Sequence, residues 1–331
     1  MAAILSPFLP ASQRSGGTLA ATDPLPRAAT PHLHQSVPLL SFSSLILVAT
    51  ITVTPVAQRG EERETRFVNA RSALFDIYGD HLLSRGEQAP VAALVRLLDP
   101  LRISAPAVRT AVSRMAGQGW LEAVKLPGGA GYRLTPRAVR RLKEAAERIY
   151  RRDVPPWDGR WHIVVVERVT DRAARERLRS ALGYLGYASL GGMTWISPRP
   201  SAELDALLTT EQLAGDFFHA GYDGDPRALA ARAWDIDDLA AGYQRWLARA
   251  REIVTAPAGA DDEAVFAMRS ELVHEWRKFL FVDPGLPAEL LPARWPGKEA
   301  ADLFHTEAER LLPAAARFVD CCLAAAGGAL A

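Results

Sequence analysis

Between residues 104 and 135 a short amphipathic helix runs straight into two strand-like runs joined by a glycine-rich turn, an order that few folds accommodate. Ser104 is placed to cap that helix, and Pro106 sits in its first turn, where a missing N–H costs nothing. Gly117-Gln118-Gly119 ends it. The runs 120–125 and 132–135 then flank Leu126-Pro127-Gly128-Gly129-Ala130-Gly131, a hairpin loop. At the helical period, Val108, Ala111, Val112 and Met115 share one side. Pro106, Thr110, Ser113 and Gly117 lie opposite, with Arg109 and Arg114 at the edges. A face that is small and polar at its centre and carries arginine at its rims suits a DNA major groove about 12 Å wide. Arginine can grip guanine O6 and N7 together, while Thr and Ser reach bases or phosphates.

Two shorter helices precede this one. Ala73, Leu74, Ile77, Tyr78, Leu82 and Leu83 form one apolar face, and Val91, Leu94, Val95 and Leu98 form the next, which Asp99-Pro100 stops. Three short helices and a hairpin predict a winged helix-turn-helix over residues 65–153. Ser104, Arg109, Thr110, Ser113 and Arg114 are its candidate DNA contacts on the third helix, with Lys125 and Arg133 beside the wing. Arg137, Arg140 and Arg141 open a basic helix after the wing, serving equally well as phosphate contacts or as a solvated face. Charge supports the placement. The whole chain is only +1, but residues 96–152 hold 13 Lys/Arg against 4 Asp/Glu, a net +9, and residues 201–331 hold 12 against 22, a net −10.

The remainder reads as three further segments, and the fold class expected is α+β. Residues 1–64 are rich in Pro, Ser, Thr and Ala and lack the apolar content to fold, so a disordered, dispensable extension is expected. The apolar stretch 37–57 has the length of a membrane span, but serines, threonines, Pro38 and Pro55 dilute it. His32 and His34 stand where a signal peptide would carry Lys or Arg. No membrane partner is expected, with a tether over 39–57 as the rival. After the linker Val154-Pro155-Pro156, residues 157–225 alternate strand, helix, two strands, helix and strand, the ferredoxin-like order. Residues 226–331 read as helical throughout, at about 227–233, 236–253, 261–281 and 298–325. The only cysteines, Cys321 and Cys322, are adjacent and match no metal spacing, which suggests a reducing cytosol and no metal site. No GxGxxG, GxxxxGK[ST], HExxH or GxSxG motif occurs, so no catalytic residue and no cofactor are expected. The rival from another class is a nucleic-acid-processing enzyme built on the middle domain.

The blocks ARSALFDIYGDHLL (70–83), VRTAVSRMAGQGWLEA (108–123), YRLTP (132–136), WDGRW (157–161) and FVDPGLPAELLPARWPG (281–297) together resemble the PaaX-type repressors of phenylacetic acid degradation. The resemblance spans about residues 70–325 and does not extend to residues 1–60. It implies a cytosolic homodimeric repressor that binds an inverted-repeat operator in double-stranded DNA and releases it when an aryl-acyl-CoA such as phenylacetyl-CoA binds. A CoA ester needs a stacking surface and cations for its phosphates. The distal candidates are His274, Arg277, Arg294, Trp295 and Lys298, although a Trp here is more often a core aromatic and an Arg such as Arg277 more often a structural ion pair. Trp246, Trp276 and Trp295 lead us to expect the effector in the region after Pro226, away from the winged helix.

Overall fold

The computed structural model describes residues 69–151, 156–255 and 259–327. The extension 1–64, its apolar stretch and most of the linker lie outside the described residues. Helix α1 (Ala70–Ile77) starts at Asn69, whose Oδ1 accepts the Arg71 N–H at 3.0 Å and so satisfies a donor the helix cannot. A widened π-type turn (Tyr78–Leu82) continues it, held where the Tyr78 hydroxyl donates to the Tyr132 carbonyl at 2.9 Å. Strand β1 (Gln88–Pro90) leads into α2 (Val91–Leu98). The sequence puts Val91 and Val95 inward, but α2 buries Ala93, Leu94, Leu97 and Leu98 and leaves both valines half-exposed. A second partner, the C-terminal helix, covers α2 from another side and rotates the buried stripe.

Helix α3 (Ala105–Gly117) buries Val108, Ala111, Val112 and Met115, as its periodicity predicts. Ser104 has cap backbone geometry but makes no capping bond with its side chain, contrary to expectation. Pro106 explains this: it deletes one of the two N–H groups such a side chain can reach. At the other end Gly119 (φ 72) lets the Trp120 N–H reach the Met115 carbonyl at 2.9 Å while Gly119 donates to Ala116 at 3.0 Å. This double closure needs a left-handed residue, hence glycine. Strands β2 (Leu121–Leu126) and β3 (Gly129–Leu134) pair antiparallel around a two-residue tip, with Lys125 opposite Ala130 and Leu126 opposite Gly129. β1 pairs with the other edge of β3, giving the order β1-β3-β2. Gly131 is required there, because a Cβ would lie 2.8 Å from the Ala89 carbonyl. Helix α4 (Pro136–Ile149) follows, capped by Thr135.

Strand β4 (Trp161–Val166), helix α5 (Arg172–Tyr184), strands β5 (Ala188–Gly191) and β6 (Thr194–Ser197), helix α6 (Leu204–Glu211) and strand β7 (Gly215–Ala220) form the middle unit. Its sheet order is β5-β6-β4-β7, with every neighbouring pair antiparallel. Val164, Val166 and Trp195 on the sheet pack against Leu178, Leu182 and Leu207 on the two helices. Helices α7 (Pro226–Ala233), α8 (Ile236–Ile253), α9 (Asp262–Trp276) and α10 (Pro296–Ala325) follow, with two 3-10 turns (Arg277–Phe281 and Ala288–Leu290) between the last two. The expected single helix over 261–281 therefore tightens after Trp276. The chain is a mixed α+β protein.

The cores do not follow the segment boundaries. Phe266 from α9 and Ala315, Val319, Cys322 and Leu323 from α10 lie in the same buried cluster as Leu74, Leu94, Val108 and Met115. Phe266, Val319 and Leu323 each contribute roughly 1.5–3 kcal/mol by leaving water. The N-terminal unit is thus completed by the two C-terminal helices, and a fragment lacking it would expose their apolar faces.

Candidate nucleic-acid interface

The inner face of α3 is fixed by packing, so the outer face is fixed with it. Ser104, Arg109, Thr110, Ser113 and Arg114 are all exposed. Neither Arg109 nor Arg114 makes an ion pair among the described residues. A cation that keeps its water and lacks an acidic neighbour is available to a polyanion, and Arg109 and Arg114 flank the exposed Thr110 and Ser113 on one helical face. Both helix ends are firm, since the Gly119 closure fixes one and the Ser104 carbonyl accepts the Val108 N–H at 3.0 Å at the other.

The flanking candidates behave differently. Lys125 is exposed on β2 with no ion pair among the described residues. Arg133 is engaged: Nε and Nη2 donate to Gln88 Oε1 at 3.0 and 2.6 Å, and Glu122 lies 3.8 Å away. The Arg137 guanidinium stacks over the Trp120 ring at 4.7 Å, a contact that leaves its edge available but anchors it at the root of the hairpin. Arg141 is bound to Glu144 and Glu203, each at 2.7 Å. The hairpin tip is touched on one side, since a Cβ on Gly128 would collide with the Ala326 carbonyl, while Pro127 stays exposed. The end of α10 therefore lies against the wing.

The five distal candidates do not come together as one site. His274 and Arg277 face α1, where His274 Nδ1 lies 2.8 Å and Arg277 Nη1 2.5 Å from the Asp76 carboxylate, and Arg277 Nη2 donates to Ser72 Oγ at 2.6 Å. The structural ion pair is the role Arg277 takes. Arg294 and Lys298 are exposed around Trp295, at the start of α10. Sequence reasoning missed the acids that receive these cations. Asp76 and Asp80 are side chains of a helix that reads as plainly amphipathic, and their partners stand about two hundred residues away. Asp80 accepts from the Tyr150 hydroxyl at 2.6 Å and pairs with the buried Arg269, whose Nε donates to the Ala308 carbonyl at 3.2 Å. Burial lowers the Arg269 guanidinium to about 10 and pushes the Tyr150 hydroxyl up. His81 beside them is held neutral, its pKa lowered to about 4 by burial and by Arg85.

An apolar cavity of about 130 Å³ lies at the junction of α1, α4, α5 and the 277–281 turn. It is lined by Phe75 and Trp120 of the N-terminal unit as well as by Val273 of α9 and Phe281.

Three stretches match successive domains of one family: residues 69–138 match the PaaX-like protein domain, 154–229 the PaaX protein central Cas2-like domain, and 234–321 the PaaX-like protein C-terminal domain. The transcriptional repressor PaaX of Escherichia coli (strain K12) is 30% identical over 265 residues, which cover 76% of this chain and 84% of the relative. An uncharacterized protein from Mycobacterium tuberculosis has a similar solved structure, with a TM-score of 0.52 and 26% identity, covering 77% of this chain and 98% of that one. With all three domains matched in order along most of its length, the chain belongs to the PaaX-type transcriptional repressor family.

Proposed function

We propose that the protein is a DNA-binding repressor of a catabolic operon that reads its operator with a winged helix-turn-helix over residues 65–153. The observation that carries this reading is the outer face of α3, where Arg109, Thr110, Ser113 and Arg114 are exposed while the opposite face is locked in the core. Ser104 and Lys125 extend the surface, Arg133 and Arg137 position the wing, and α3 enters the major groove. The middle unit is ferredoxin-like, consistent with two strand-helix-strand passes folded into one antiparallel sheet. The protein acts as a homodimer on an inverted repeat, because a twofold operator demands a twofold reader. The edge strand β7, with Phe217 44% and Phe218 53% exposed, supports self-association. An aryl-acyl-CoA such as phenylacetyl-CoA releases the DNA by binding the DNA-free form more tightly. Arg294, Trp295 and Lys298 are offered to its polar part, whereas His274 and Arg277 act by holding α1.

The test is a mobility-shift selection with purified full-length protein on fragments of the source genome. Retention of a few fragments, resistant to excess unrelated DNA and reversed by phenylacetyl-CoA, is the expected result. Retention that unrelated DNA abolishes entirely overturns the specific-repressor reading. Retention that phenylacetyl-CoA leaves intact overturns that effector alone.

A further inference from the structure

The junction cavity has a definite chemistry. Phe75, Trp120, Leu142, Ala146, Leu185 and Phe281 give it apolar walls. Every charged group at its rim is already committed: Arg277 to Asp76, Arg141 to Glu144 and Glu203, and Asp80 to Arg269. A ligand charge placed inside would meet no unpaired partner and would be stranded out of water. The inserted group must therefore be uncharged. Its size follows from the volume, because an apolar cavity of about 150 Å³ stays dry and takes one benzene ring. At about 130 Å³ this cavity is on the same scale.

The cavity is not closed. It shares Ile149, Tyr184, Leu185 and Leu280 with a broader groove of about 800 Å³, whose lining includes Arg148, Arg151 and Lys298 beside several acids. Arg148 stands at the join, its guanidinium 4.6 Å from the Tyr184 ring centre and its Nη2 donating to the Leu280 carbonyl at 3.0 Å. A molecule with a ring in the cavity would lead its remainder past Arg148 into polar surroundings.

We propose that this cavity is a ligand site for one uncharged, ring-sized apolar group of a larger molecule, and that its occupancy is transmitted to α3 through Trp120. The regulatory half of the proposal rests on reading the chain as a ligand-responsive repressor. Trp120 closes the C-terminus of α3 through its N–H and begins the wing, and its ring meets Phe75 edge-on at 5.2 Å. A ring bound between these two residues and Leu185 and Phe281 touches the reading unit and the body at once. It favours whichever relative arrangement fits it better, which is what a ligand must do to shift a binding equilibrium.

Full-length protein is titrated with benzyl alcohol, followed by thermal melting, and with phenylacetyl-CoA, followed by calorimetry and by release of bound DNA. Ala146→Leu fills the cavity. The expected result is that benzyl alcohol stabilises the wild type but not Ala146→Leu, and that the variant binds phenylacetyl-CoA at least tenfold more weakly. Equal responses of both proteins to both compounds, or no wild-type response to either, overturn the site. If phenylacetyl-CoA releases DNA equally from both, the effector reading stands and the cavity is not its site. If benzyl alcohol discriminates between them but the thioester neither binds nor releases DNA, the cavity stands and the effector reading falls. Should Ala146→Leu not fold, Leu142→Ala enlarges the same space, and 2-naphthyl methanol should bind it at least tenfold more tightly than it binds the wild type. Unchanged binding of that probe overturns the site.

Discussion

The outer face of α3 and the seam between α1 and α9 both use arginine, in opposite ways. On α3, Arg109 and Arg114 are exposed, with no acid to hold them among the described residues. In the seam, Arg269 is 3% exposed and bound to Asp80, and Arg277 is clamped between Asp76 and Ser72. An exposed cation costs little to keep and is ready for an anionic partner. A buried one must be matched from within, so a change in the seam costs far more stability than a change on the face. The difference teaches that positive charge stands in this chain in two ways, exposed and free of ion pairs among the described residues on α3, and buried where it joins the N-terminal unit to the helices that complete its core.

The contrast predicts a large loss of stability from Arg269→Met. Removing the cation leaves Asp80 as a buried carboxylate facing, among the described residues, only the Tyr150 hydroxyl and the His81 ring, and breaking such a pair costs about 3–5 kcal/mol. Urea denaturation at neutral pH measures it, and a loss under about 1 kcal/mol would mean that water reaches Asp80 and the seam is not dry. The same region predicts a pH dependence. The unfolded chain protonates His81 near pH 6.5 and the folded chain only at about 4. Stability from this group is therefore complete above pH 6.5 and lost as pH falls toward 4, by up to about 3 kcal/mol. Denaturation across that window should show the slope in the wild type and a shallower one in His81→Leu, and identical slopes would assign the effect to other groups. Lys125→Ala sits at the opposite end of the scale. It should leave the melting temperature unchanged and reduce the salt dependence of DNA binding by about one counterion, the effect of removing one phosphate contact. An unchanged slope would place Lys125 off the DNA.

The sequence shows the α3 face, the hairpin and the order of the middle unit, because each is set by local periodicity or by glycine. Val108, Ala111, Val112 and Met115 are spaced to be buried whatever covers them. It does not show that Phe266 and Val319 complete the first core, because an apolar stripe names no partner. Nor does it pair Arg277 with Asp76 or set Arg137 on Trp120, since neither contact has a local signature. Nor does it show the junction cavity, because walls contributed by Phe75 and Trp120 are assembled with Leu185 and Phe281 only in three dimensions.

The central claim is that the outward face of α3 reads DNA, and Arg109 tests it most directly because it is exposed, has no ion pair among the described residues and stands at the rim beside Thr110 and Ser113. The measurement is an anisotropy titration of a selected operator with wild-type protein and Arg109→Ala at one fixed salt concentration, with melting temperatures recorded for both. The account predicts matching melting temperatures and a loss of about 1–3 kcal/mol in operator affinity, the worth of one bidentate contact to a base, with binding to unrelated DNA reduced far less. Operator affinity unchanged within error, in a variant that melts like the wild type, would contradict the claim.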